Sequence, residues 1–517
     1  MKIKSYISAV AVAALALGFN SCTKDFDEIN TDPDAYPTAP VTNVLAYSLY
    51  SIASEWGNEK TRLADWAGYM VNSYENETFS YKPSYNEFGN KWYVTYTIIP
   101  QLQDIIDRTD PEENKNMQNV SKLLQQYLYF LTVDCFGDIP YTEACQGISN
   151  DNIKPVYDKD SDVYDSIAVN LKTIADSWAE GLGSDELGAG DLIYGSNIEN
   201  WQRFCNSLRL RLAMRVSNMS SKLEASKATF KEILSNPDKY PFIEECSQNN
   251  YFNWEGTSSY REPWYDNYLE RPVDFYMPQI LVDRLKSQAD PRLSVICRPA
   301  ANTGEYRGVL HGANAQYNGE PKDNYSIVGA LYMSIDETEN AANPGFSPYF
   351  RATESWFLIA EAAIKGWNTG SYTAQTAYEN AVNCSMTDNG VSDEDAATYL
   401  AGKGAYAGTL EQIYLEEWVA LFKQCQEAWC LYRRTGYPTQ MFDEVTYSDG
   451  ITAPQYPGEH CAWGYGANAR HNDLPFRFPY PNNEMLYNYD NVSAASEGIT
   501  DYTYGKRLCW ALENGRK

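Results

Sequence analysis

Histidine is almost absent: the 517 residues hold three, His311, His460 and His471. They are scattered and none stands four residues from another, so the helical His pair of a catalytic zinc site is missing. Positive charge is scarce as well. Lys and Arg total 41 against 69 Asp and Glu, a formal net charge of -28. A phosphate backbone is held by clustered cations, so nucleic acid is excluded as a partner, and direct attraction to anionic lipid with it. There is no G-x-S-x-G elbow and no G-x-x-x-x-G-K-[ST] phosphate loop. Gly181, Gly183, Gly188 and Gly190 follow no strand pattern and read as a connector. Asp158-Lys159-Asp160-Ser161-Asp162 opens like a calcium loop but lacks the glycine and glutamate that such a loop needs at its sixth and twelfth positions, so it reads as a solvated helix start. Long apolar runs are limited to one, Ala9 to Phe19, which is shorter than the ~20 residues that span a bilayer.

That run has a basic start at Lys2 and Lys4 and is followed by Asn20-Ser21-Cys22 and the acidic stretch Thr23 to Glu28. The order is that of a bacterial lipoprotein signal. It predicts a signal peptide over 1–21, acylation of Cys22, a lipidated tether over 22–40 and one body over 41–517. Several acyl chains, at about 0.8 kcal/mol per buried CH2, hold such a body on a membrane without crossing it. Ten cysteines remain beyond Cys22 at irregular spacing, which permits disulfides without assigning a pair. Cys205, Cys425 and Cys430 fall on apolar helical patterns and read as buried thiols.

The body reads as mainly α with few short strands. Apolar residues at helical spacing predict helices around Val44 to Ile52, around Trp92 to Ile106 with Pro100 as a kink, and over 119–134, 162–179 and 199–216. They return over 353–366, 373–384 and 409–432. Between them, 240–350 is rich in Tyr, Asn, Gly and Pro, and only 272–288 reads as a helix there. Paired helices with Ala and aromatic positions suggest tetratricopeptide-like packing, without a clean 34-residue repeat. Trp92, Trp201, Trp356, Trp418 and Trp429 lie on apolar stripes and are expected in the core. Arg203, Arg209, Arg211 and Arg215 fall mostly off the stripe of their helix and are expected to make ion pairs on its polar face. Arg433 and Arg434 complement the dipole at a helix end.

Six strings occur in order behind the lipoprotein signal: DFDEINTDPDAYP from Asp25, FGDIPYTEA from Phe136, WQRFCNSLRLRLAMRVSN from Trp201, ESWFLIAEAAIKGW from Glu354, EEWVALFKQCQEAWCLYRRTGYP from Glu416 and LPFRFPYPNNE from Leu474. Together they resemble the SusD/RagB family of nutrient-binding outer-membrane lipoproteins over nearly the whole mature chain. The resemblance implies a SusD-like helical domain whose tetratricopeptide-like helix pairs support a loop-rich, ligand-facing insertion. It also implies a place on the cell surface and a role as lid on a SusC-like TonB-dependent transporter, with oligosaccharide, or in some members peptide, as cargo. No catalysis and no cofactor are implied.

Tyr is the abundant residue, 42 against 18 Phe and 13 Trp. Sugar rings stack C–H faces on Tyr and Trp while their hydroxyls take Asn, Asp and Arg. Two loop stretches offer that mixture. One holds Asn72, Tyr74, Tyr81 and Tyr85; the other holds Trp254, Tyr260, Arg261, Trp264, Tyr265 and Tyr268. In the family, ligand contacts come from loops in broadly these two regions, with no motif that matches residue by residue. Exposed rings there are expected to bind ligand, so Trp264→Ala or Tyr74→Ala weakens binding without unfolding. Three other readings stand beside glycan capture: an oligopeptide binder favouring cationic peptides, a surface glycoside hydrolase using an unidentified carboxylate pair, and a lid whose main role is docking.

Overall fold

The computed structural model describes residues 38–57, 62–71, 85–147, 150–272, 275–310, 320–442, 444–446, 452–454, 475–497 and 505–512. The first helices are α1 (Val41–Trp56), α2 (Arg62–Trp66), α3 (Tyr85–Arg108), α4 (Lys115–Phe136), α5 (Asp160–Ala179), α6 (Ile198–Val216) and α7 (Leu223–Leu234). The middle holds β1 (Asn250–Asn253), α8 (Pro263–Glu270), α9 (Gln279–Ser287), α10 (Leu293–Ile296), β2 (Cys297–Arg298), β3 (Ile327–Val328), α11 (Glu337–Ala342) and β4 (Phe346–Phe350). Then come α12 (Ala352–Ile364), α13 (Ala374–Asp388), α14 (Asp393–Ala401), α15 (Leu410–Ala420) and α16 (Cys425–Thr435), and last β5 (Glu444–Thr446), β6 (Thr452–Pro454), α17 (Asn482–Tyr487) and α18 (Tyr489–Ala495). The protein is mainly α, as its periodicity predicts. Among the described residues the named strands form three two-stranded antiparallel ladders, β1 with β4, β2 with β3 and β5 with β6.

Side-chain caps set several starts. Asn197 accepts from the Asn200 amide at 3.2 Å to open α6, and Thr373 and Thr409 open α13 and α15 in the same way. Gly436, at φ +80°, ends α16 in the left-handed conformation that glycine adopts without strain. α3 packs on α1 and α4, α4 on α5, α5 on α6 and α6 on α7; α12 packs on α13 and α15 and joins this second stack to α6. All five stripe tryptophans are buried, as expected.

Charge is buried along the seam between the stacks. Arg209, Arg211 and Arg215 are each at most 5% exposed, so the arginine face of α6 is interior rather than solvated. Arg211 donates to Glu354 at 2.6 Å, and Arg215 donates to Glu427 at 2.6 Å and pairs with Asp134 at 3.3 Å. Arg434 donates to Glu361 at 2.7 Å, and Arg292 holds Asp290 and Glu416 at 2.6 and 2.7 Å. The two arginines at the end of α16 are therefore tertiary ties: Arg433 donates to the carbonyls of Asp134 and Phe476 at 2.8 and 2.9 Å.

Two local expectations need correction. The helix predicted over 409–432 is two, because Lys423 takes a left-handed φ of +75° between them. Its ammonium is drawn inward to the Tyr332 carbonyl at 2.7 Å and to Glu262 at 3.1 Å. The helix predicted over 272–288 is shortened to 279–287, because the backbone from Phe275 to Pro278 is spent on bridges to other segments. Pro100 lies inside α3, where the sequence places it.

Candidate functional site

Tyr276 is the point where two distant parts of the chain meet. The Val71 amide donates to the Tyr276 carbonyl at 2.8 Å, in an antiparallel bridge. Tyr276 also bridges Ile327, the Met277 amide donates to Ser326 at 2.9 Å, and Pro278 bridges Val309. Residues 275–278 thus form an extended spine bridged to Val71, to Val309 and to Ile327 of β3. Asn72 follows Val71 directly, so both stretches singled out by composition are tied to this spine. The structure brings their stems together, which sequence spacing does not reveal.

Around the spine the side chains are aromatic and polar. Tyr276 is buried, and burial, with Asp323 and Tyr268 nearby, pushes its hydroxyl up to about 12, which keeps it a protonated donor. Tyr268 is half-buried with its ring edge-on to Phe275 at 5.9 Å. A cavity of about 230 Å³ opens beside α9, lined by Gln279, Asp283, Lys286, Tyr306, Arg307 and Tyr325 among others. The Arg307 guanidinium lies 4.7 Å over the Tyr325 ring and donates to Glu320 at 3.0 Å, while Gln279 donates to Asp283 at 3.0 Å. Gly308 makes the cavity wall possible: a Cβ there would fall 2.4 Å from the Cα of Gln279, so another residue would push the 306–309 segment off the start of α9. A second hollow of about 400 Å³ shares Gln279 and Asp283 and reaches Trp418.

Tyr260 belongs to a different aromatic surface. It is 47% exposed and meets Tyr50 edge-on at 5.5 Å, with Tyr47 of the same helix 53% exposed. Beneath them Trp254 is buried, edge-on to Tyr50 at 5.8 Å and donating through Nε1 to Ser347 at 3.0 Å. Arg261 is part-exposed and donates to Glu337 at 2.8 Å.

Among the predicted site residues, Tyr260, Arg261 and Tyr268 present surface, and Trp254, Trp264 and Tyr265 do not. Their exposure is the part of the expectation to correct. Pro263 and the Glu262 cap fold this stretch into α8, and the helix turns Trp264 inward against Phe422 at 5.9 Å, under the Lys423 ammonium at 5.0 Å. Cys22, Asn72, Tyr74 and Tyr81 lie outside the described residues, as does the side chain of Tyr85, which opens α3. The three histidines also lie outside them. Sequence reading missed Tyr306, Arg307 and Tyr325. Their signal was weak, an Arg after a Tyr and another Tyr 18 residues on, in a region that is rich in Tyr throughout.

This is a set of ring faces, amides, carboxylates and one stacked guanidinium, the mixture that recognises a polyol. Burial pushes the thiols of Cys205 and Cys430 up to about 12, away from the thiolate a nucleophile needs. Asp134, Glu427 and Cys430 converge as metal ligands would, but guanidinium groups occupy the cluster: Arg215 on the carboxylates and Arg433 on the Cys430 sulfur at 3.0 Å.

The fold is a helical one, with a described surface of exposed aromatic and polar side chains. Residues 33–455 match the SusD-like family described as starch-binding and associating with the outer membrane, and 403–511 match the SusD and RagB outer-membrane lipoproteins. The chain belongs to the SusD/RagB family, and is an outer-membrane lipoprotein that binds rather than turns over its ligand. Among the described residues no helix is long and apolar enough to cross a membrane. Similar solved structures include a chitin-binding protein, at 22% identity and a TM-score of 0.74 over 92% of this chain and 100% of that one. A chitin-binding SusD homologue from Flavobacterium johnsoniae is 22% identical with a TM-score of 0.72, over 92% and 99%. A SusD-like protein from Bacteroides thetaiotaomicron is 23% identical with a TM-score of 0.71, over 92% and 100%. At these identities the likeness carries the fold. No curated protein sequence matches the chain.

Proposed function

We propose that the protein captures an oligosaccharide at the face built on Tyr276 and delivers it to a SusC-like TonB-dependent transporter, while Cys22 holds it to the outer membrane. The observation that carries this reading is the Val71–Tyr276 bridge, which ties both aromatic loop stretches to one spine beside a polar, aromatic-lined cavity. Tyr268 and Tyr306 supply ring faces, the buried Tyr325 backs the Arg307 guanidinium, and Arg307, Asp283 and Gln279 supply hydrogen bonds to hydroxyls. Tyr260 and Arg261 form a second contact surface for a longer chain. Affinity of this kind is micromolar, about -8 kcal/mol.

Chitin-binding structural neighbours make chito-oligosaccharides the first probes, with malto-oligosaccharides beside them because of the starch-binding family description. Calorimetric titration of the full chain tests the reading. Micromolar heats with one glycan series, reduced in Arg307→Ala, support it. Heats with a cationic peptide pool and none with glycans would replace it with peptide capture, which the net charge of -28 favours over other peptide classes. Delivery is tested separately, by co-purification with a barrel protein from outer membranes.

A further inference from the structure

Cys246 opens a single 3-10 turn (Cys246–Gln248) that packs on α13. Its Sγ lies 3.4 Å from the carbonyl oxygen of Cys384, and the Cys384 Sγ lies 3.9 Å from the carbonyl oxygen of Glu244. Each thiol therefore rests on the backbone segment that carries the other. Firm ties hold the two segments together. Asn249 donates to Asp388 of α13 at 2.8 Å, and Trp356 Nε1 of α12, the helix packed on α13, donates to the Glu244 carbonyl at 2.8 Å. Both cysteines are partly exposed, whereas Cys135, Cys205, Cys297, Cys425 and Cys430 are buried. A hydrogen bond to Cys384, ahead of partial burial, pushes the Cys246 thiol up, as two thiols in contact require.

We propose that Cys246 and Cys384 become a disulfide during export, fastening the entrance of the loop-rich middle to the second helical stack. Export passes through an oxidising compartment, where partly exposed neighbouring thiols are the ones that react. The oxidant is the disulfide of a periplasmic thiol oxidoreductase. One cysteine attacks it as the thiolate, and the mixed disulfide is displaced by the other cysteine. Two S–H bonds are lost and one S–S bond forms; the two electrons and two protons leave on the oxidoreductase, now a dithiol.

The test uses the full chain taken from outer membranes. It is denatured in N-ethylmaleimide without reductant, digested and mapped. The expected map has Cys246 and Cys384 unmodified and joined in one peptide pair that reduction separates, while the buried cysteines carry the label. Reduction of the native protein is expected to lower Tm by about 3 °C, since the bridge closes a long loop in a large chain. Label on Cys246 and Cys384 in the unreduced protein, whether from free thiols or from a dithiol holding a metal ion, overturns the proposal. In Cys384→Ser, Cys246 is expected to become labelled; continued protection would mean that its partner is another residue. Should that variant fail to accumulate, the wild-type map decides.

Discussion

Arg211 and Arg307 are both arginines paired with a glutamate, and they do opposite things. Arg211 is 3% exposed, clasps Glu354 across the seam between the stacks, and has no freedom to meet a ligand. Arg307 lies at the rim of a cavity, and both its side chain and that of Glu320 are more than a third exposed. Breaking a buried pair leaves an uncompensated charge and costs about 3–5 kcal/mol, while an exposed pair contributes about 0–1 kcal/mol. The same chemistry thus fixes geometry in one place and stays available for binding in the other. The aromatic side chains of one stretch divide in the same way, with Trp264 and Tyr265 interior and Tyr260 outward.

The sharpest way to break this division is Arg211→Ala. It is expected to lower stability by about 3–5 kcal/mol in urea unfolding, by stranding Glu354; a loss under 1 kcal/mol would mean that the seam is not structural. Trp264→Ala comes next, at about 3–5 kcal/mol for an emptied interior site. The variant is expected to lose stability first and glycan affinity only as a consequence. A stable variant with weakened binding would return Trp264 to the ligand surface.

Acid probes the seam more gently. Burial raises the Glu361 carboxyl, but Arg434 and Lys365 outweigh it and hold the group at about 2. A depressed carboxylate contributes stability above its unfolded pKa near 4.3 and loses it as pH falls toward 2. Glu361→Gln is therefore expected to flatten the fall in stability from urea unfolding between pH 5 and pH 3, a difference on the order of 1.5 kcal/mol. An unchanged slope would show that other carboxylates govern the acid limb. The smallest stability effects are expected at the face. Tyr260→Ala and Arg307→Ala should stay within about 0.5 kcal/mol of wild type, yet weaken oligosaccharide binding about tenfold. Equal affinity in both variants would move the site elsewhere on the molecule.

Helix positions were legible because burial repeats every 3.6 residues, and α5 and α6 begin within two residues of the predicted starts. The strings that betray the family are largely this scaffold: WQRFCNSLRLRLAMRVSN and ESWFLIAEAAIKGW hold the two halves of the Arg211–Glu354 pair. What periodicity cannot carry is a break set by one residue. Lys423 divides an unbroken apolar pattern because its ammonium finds partners far away in sequence. The face was legible only as composition. Its candidates on the second stretch share a local sequence, but exposure depends on which way α8 rolls, and that is set by Phe422 and Lys423 beneath it. Arg307 and Tyr325 join the site through long-range bridges that leave no spacing signal.

The Val71–Tyr276 bridge has a further consequence for how such a protein changes its diet. The bond is made by backbone atoms, so it asks nothing of the side chains that follow. A backbone bond of this kind survives substitution of Val71 or Tyr276 by any residue other than proline at the donor. The paired charges of the seam permit no such drift, since each half constrains the other. Selection for a new sugar can therefore act on the loops at little risk to folding, and a shared helical chassis can serve lineages that feed on unlike polymers.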